Sequence, residues 1–134
     1  MAWQQNPYKT GMTAGTEVHR GTEVITALES DCTSPSTRIT AGDPLTIGDG
    51  TAGVGMITTT ATTDLVSVDL NGIWYLSVNA NNGAVAVGEQ LYCHTSTAAV
   101  TNTSTTAIPL GIALGAVTSA ATTVIAVKLL HAAL

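Results

Sequence analysis

Alternation of apolar and polar residues is the strongest signal in the chain. Over 64–70, Val66, Val68 and Leu70 fall at every second position, with Ser67 and Asp69 between them. Side chains along a strand switch faces at each residue, so this spacing predicts a strand with one dry face. Asn71-Gly72 follows, a dipeptide suited to the positive φ angles of a two-residue hairpin turn. Ile73-Trp74-Tyr75-Leu76-Ser77-Val78 is β-branched and aromatic, and is expected to pair back antiparallel on the first strand. A turn over 79–83 leads to 84–93, read as a third and a fourth short strand. The whole stretch reads as a β-meander and as the folding centre.

The flanks carry weaker patterns. Val18, Val24, Ile25 and Leu28 around Gly21 suggest two short strands or a strand and a turn, with a helix over 23–30 as the alternative. Residues 31–36 hold turn chemistry around Ser34-Pro35, and Thr37-Arg38-Ile39-Thr40 reads as a short strand. From Gly42 the chain repeats itself at one offset. Gly42-Asp43-Pro44-Leu45, Ala52 and Val54 match Gly88-Glu89-Gln90-Leu91, Ala98 and Val100. The same offset lays Val66, Val68 and Leu70 on Ile112, Leu114 and Ala116, and after a small slip 73–78 meets 123–129. Two copies are too few for a solenoid and suit a small barrel or sandwich sharing one core.

The expected fold is therefore all-β: a small antiparallel β-barrel or β-tulip/sandwich with pseudo-repeated halves (42–78 and 88–130). Val66, Val68, Leu70, Leu91, Ile112, Leu114, Ile125 and Val127 are its expected core. At 134 residues the chain is one domain by size. Charged residues are 10%, Phe is absent and Thr is about one residue in six, which supports an all-β class.

Residues 1–16 show neither period and are read as an extended N-terminal arm, leaving 17–134 as the body. Trp3, Pro7 and Tyr8 are its candidate partner-binding residues. Large aromatics are costly to leave loose in solvent and often anchor interfaces. A disordered terminus is the alternative.

Charge and hydropathy exclude some classes. The net charge is −5 and the only cations are Lys9, Arg20, Arg38 and Lys128. Four scattered cations cannot make the basic stripe that binds nucleic acid. The longest mostly apolar run, 107–117, is broken by Pro109 and is too short to span a membrane. No secretion-type segment is read at the start, so synthesis in the cytoplasm is expected.

Candidate chemistry is sparse. Gly48-Asp49-Gly50-Thr51-Ala52-Gly53 matches a dinucleotide-binding pattern, but a strand-like run follows where a phosphate-holding helix would have to start. Cys93-His94 with His19, His131 and Cys32 lacks the paired short spacing of a zinc site. Cys32 and Cys93 are read as free thiols or, alternatively, a disulfide. The acidic residues Asp43, Asp49, Asp64, Asp69 and Glu89 mostly occupy turn positions. No catalytic residue, cofactor or metal is expected.

Val87-Gly88-Glu89-Gln90-Leu91-Tyr92, then Ile108-Pro109-Leu110-Gly111-Ile112-Ala113-Leu114, then Thr123-Val124-Ile125-Ala126-Val127-Lys128-Leu129 resembles the small tailed-phage capsid decoration (cement) proteins. The resemblance covers roughly Gly42 to Leu130. It implies a β-barrel or β-tulip body on the outside of an icosahedral head. It also implies contact with the major capsid protein, self-association as a homotrimer or dimer, localisation in the virion and no enzyme activity. The alternative is a carbohydrate- or receptor-binding β-module of a phage fibre or appendage. That reading needs exposed aromatics, for which Trp74 and Tyr75 are the candidates.

Overall fold

The computed structural model describes residues 8–130. They form two sheets, antiparallel but for one pairing, and one short 3-10 turn, Glu29–Asp31. The first sheet closes on itself. β7 (Ile73–Asn79) pairs with β11 (Thr122–Leu129), β11 with β10 (Ala107–Ala113), β10 with β8 (Gln90–His94), and β8 with β9 (Val100–Thr101). The short β9 returns to β7 in parallel, Val78 beside Val100, and completes a five-stranded barrel. β1 (Glu17–His19) lies against the start of β7.

The second sheet stays open, in the order β2 (Val24–Leu28), β6 (Leu65–Asp69), β5 (Thr51–Gly55), β4 (Pro44–Ile47), β3 (Cys32–Thr33). It leans on the barrel through β5 against β10 and β4 against β8. Alternation along β5 decides what it touches: Ala52 and Val54 join the barrel core with Leu76, Val78, Leu91, Leu110, Val127 and Leu129. The opposite face carries a smaller cluster, Ile39, Leu45, Val66, Val68 and Leu70.

The all-β class is what the chain forms, as a closed barrel with a second sheet. The expected meander is not. Strands β6 and β7 flank Asn71-Gly72 yet do not pair, because β6 is taken by β2 and β5, and β7 by β1, β9 and β11. Neither Asn71 nor Gly72 has a positive φ, so the turn is not the hairpin type the dipeptide suggested. The cause is Asp69, whose buried carboxylate accepts from the N–H groups of Asn71 (3.1 Å) and Gly72 (3.0 Å) and turns the chain into the other sheet. Gly72 is required for close approach: a Cβ there would strike the Asp69 carboxylate and the His19 carbonyl.

Other expectations need correction. Residues 84–87 hold only a single bridge, Val85 to Val117. Residues 37–40 are irregular, and the strand lies at Cys32–Thr33, where a turn was expected. The helical alternative over 23–30 gives way to β2 followed by the 3-10 turn. Of the eight expected core residues, Ile112 and Leu114 are only half-buried, and Leu110 and Ala113 are buried instead. A register shift between Pro109 and Gly111 moves the phase of β10, so strict alternation read through the proline fails.

The repeat survives as a turn rather than as a topology. Gly42 and Gly88 both have positive φ, +95° and +91°. Asp43 N–H donates to Thr40 O, and Glu89 N–H to Ala86 O. The two carboxylates accept from Thr40 N–H (2.9 Å) and Ala86 N–H (3.0 Å) in the same way. Each turn also bonds the last residue of a strand, Gly42 N–H reaching Gly55 O of β5 and Gly88 N–H reaching Ala113 O of β10. Counted from the strand that follows the turn, that strand is the next one along the chain in the first case and the next but one in the second.

Candidate interaction surface

The reactive groups are held in structural roles. Cys93 is fully buried in the barrel core, and burial pushes its thiol pKa up to about 12. Cys32 is half-buried; burial first, then the nearby Asp31 and Glu29 charges, raise its pKa. Both are free thiols. A thiol with a raised pKa holds little thiolate at neutral pH, which leaves it a poor nucleophile.

Asp69 is the best-satisfied carboxylate. Besides Asn71 and Gly72 it accepts from Gly21 N–H at 3.0 Å and from the Trp74 indole N–H at 2.9 Å. Burial pushes its pKa up, and the Gly21, Trp74, Asn71 and Gly72 donors together bring it below the usual carboxylate value. It fastens three pieces of chain: the segment before β2, the end of β6 and the start of β7. Glu29 is the second buried acid. It pairs with the half-exposed Arg38 at 2.7 Å and accepts from Thr59 Oγ1, while Thr59 Oγ1 accepts from Ile39 N–H at 3.0 Å. This network ties the loops over the small core of the open sheet. Both arrangements brace backbone, and neither leaves a carboxylate facing a cleft with a second acid.

The dinucleotide-like glycine pattern spans the β4–β5 hairpin turn and the first residues of β5, with no helix after it. His94 bonds Ser96 and Thr106 through its two ring nitrogens. Among the described residues no three His, Cys, Asp or Glu side chains gather as metal ligands; His131 lies outside those residues. No helix among them is long and apolar enough to cross a membrane.

Trp3 and Pro7 lie outside the described residues. Tyr8 is half-buried and borders a shallow cavity with Thr123 to Ala126 of β11. Beyond it the chain runs across β7: Lys9 N–H donates to Tyr75 Oη at 2.9 Å, and Gly15 and Thr16 bond the Tyr75 backbone. This cover explains why Trp74 and Tyr75 are both buried, although neighbours on a strand face opposite ways. A larger cavity of about 340 Å³ lies between Ala14-Gly15, the Gly42 turn and the barrel residues Leu76 and Val100.

The surface with the most to offer a partner is the outer part of the open sheet. Val24, Ile25 and Leu28 of β2 are 38–41% exposed, and Leu65 beside Leu28 is 61% exposed. Sequence reasoning placed strands here but missed the surface. The signal was the run Val24-Ile25-Thr26-Ala27-Leu28, which does not alternate and so cannot have one wet face.

A phage cement protein family model matches residues 24–129. The chain belongs to the phage cement protein family. Cement proteins are a structural family of the phage capsid, so this protein is a capsid-associated virion protein. The matched span runs from the first residue of β2 to the last of β11, taking in both sheets. No curated protein and no solved structure matches the chain.

Proposed function

We propose that this protein is a decoration protein that binds the outside of a phage head, bridges neighbouring major capsid subunits and so stabilises the shell. The observation that carries the reading is the family match across both sheets. A ligand that binds only the assembled shell stabilises it by mass action, and many simultaneous weak contacts multiply. The protein has no enzymatic role in this reading. It is made in the host cytoplasm and works as a homo-oligomer, a trimer in preference to a dimer. Residues 1–16 act as the arm and 17–134 as the body, with Trp3, Pro7 and Tyr8 anchoring the arm on capsid or on a neighbouring copy. The fibre or appendage module loses its support, because Trp74 and Tyr75 are buried and offer no platform for a sugar.

The test is a titration of the purified protein onto capsids lacking it, followed by heating of the decorated shells. Saturable binding with a raised shell-disruption temperature is expected. Absence of binding would overturn the reading. Replacing Trp3 and Tyr8 with Ala is expected to weaken binding while leaving the melting temperature of the body within a few degrees. Unchanged binding would move the contact onto the body.

A further inference from the structure

The outer edge of β2 is a long strand edge left open among the described residues, since β2 ends the open sheet and is bonded only to β6. The ladder tells which of its groups are free. Leu70 N–H donates to Glu23 O, and Glu29 N–H donates to Asp64 O, both at 2.9 Å. Bonded residues alternate along an antiparallel ladder, so 23, 25, 27 and 29 turn their peptide groups to β6. Val24, Thr26 and Leu28 turn theirs outward. The Leu28 carbonyl is taken by the Cys32 thiol at 3.3 Å. Among the described residues, the N–H groups of all three and the carbonyls of Val24 and Thr26 have no partner.

Strand edges are usually blunted by shortness, bulges, Pro or Lys. β1 has three residues and a register shift, and β3 has two residues. β2 has five residues, VITAL, with no charge and no proline. Its side chains are exposed on both faces, Val24 and Leu28 on one and Ile25 on the other. Such an edge is built to take an added strand, with backbone hydrogen bonds supplying affinity and alternate side chains supplying specificity.

Charge selects the strand. Glu23 stands at one end of β2, and Asp31 and Asp64 stand at the other, where the buried Glu29 is already paired with Arg38. A second copy of this chain brings the same acids. Antiparallel self-pairing over all five residues centres on Thr26 and brings the Glu23 end of each copy to the Asp31 and Asp64 end of the other. Like charges brought together across a strand pair disfavour pairing. We infer that the outer edge of β2 takes up an extended segment of the major capsid protein as an added strand, apolar at its centre and carrying Lys or Arg at its ends. This rests on the capsid reading proposed above.

Thr26→Pro removes the central outward N–H while sparing every bond to β6, and Pro is compatible with an edge strand. Glu23→Lys leaves the backbone alone and reads the charge argument separately. Wild type and both variants are titrated onto capsids lacking the protein, at low and high salt, beside melting curves and sedimentation. The expected result is a loss of roughly ten-fold or more for Thr26→Pro, a smaller loss for Glu23→Lys, weaker wild-type binding at high salt and near-equal melting temperatures. If Thr26→Pro does not fold, Glu23→Lys and the salt series decide. Wild type that binds while both variants bind equally well overturns the inference and leaves the capsid reading standing. Wild type that does not bind overturns both. A wild-type dimer that Thr26→Pro converts to monomer, with capsid binding unchanged, gives the edge to a second copy and overturns the inference.

Discussion

The barrel and the open sheet are made from similar strands and repeat the same glycine–acid turn, yet they end in opposite states. In the barrel, two-residue β9 is enough to return the sheet to β7 and remove the free edge. Its core runs from Leu76 and Val78 through Leu91 and Leu110 to Val127 and Leu129. The open sheet keeps both edges and buries one small cluster beneath loops, held by the Glu29–Thr59–Arg38 network. Closure spends apolar residues inward, whereas the open sheet leaves Val24, Ile25, Leu28 and Leu65 outside. One region supplies stability and the other supplies contact.

The division is broken most strongly in the barrel. Leu110→Ala, at a 1% exposed site, is expected to cost about 2–5 kcal/mol in urea unfolding, through lost burial and the cavity left behind. Leu114→Ala, at a half-buried site on the same stretch, is expected to cost less than half as much. Equal losses would put the phase of β10 in error.

The joint between the regions comes next. Asp69→Asn swaps a carboxylate that accepts four N–H groups for an amide with one acceptor oxygen, and is expected to cost about 1–3 kcal/mol at neutral pH. The pH dependence has a definite sign. Because the folded pKa is lowered, the carboxylate's contribution is complete above the unfolded value of about 3.9 and is lost as pH falls through the folded one. Stability of the wild type should therefore drop over that acid window, and Asp69→Asn should drop less. Parallel acid limbs in denaturant titrations would remove Asp69 from the account.

Thiol labelling sharpens the contrast without a mutation. Cys93 in the barrel is expected to react with a thiol reagent only at the rate of global unfolding, and Cys32 in the open sheet faster, by local opening. Equal rates would mean that the sheets open together. The smallest effect is expected at the edge, where Leu28→Ser should change stability by no more than about 0.5 kcal/mol, as exposed sites do.

Local chemistry was legible in the sequence and long-range pairing was not. The Gly42-Asp43 and Gly88-Glu89 turns were readable because each closes within four residues, with its own carboxylate as the cap. The class followed from the β-branched, Thr-rich composition. The Asn71-Gly72 hairpin failed because the decisive group, Asp69, acts through donors from Gly21 to Trp74, and no pattern within the turn reports them. The phase of β10 failed at Pro109, where a bulge shifts which side chains point inward. Residues 24–28 carried a readable warning in their lack of apolar–polar alternation, but only the ladder to β6 shows which edge that run leaves open.

Hydrogen exchange on the free and the capsid-bound protein tests the division of labour most directly. Capsid binding is expected to add protection in 24–28, at the Val24, Thr26 and Leu28 amides, while the already protected amides of β10 and β11 stay unchanged. Added protection confined to β7 and β11, with none in β2, would place the contact on the barrel and contradict the account.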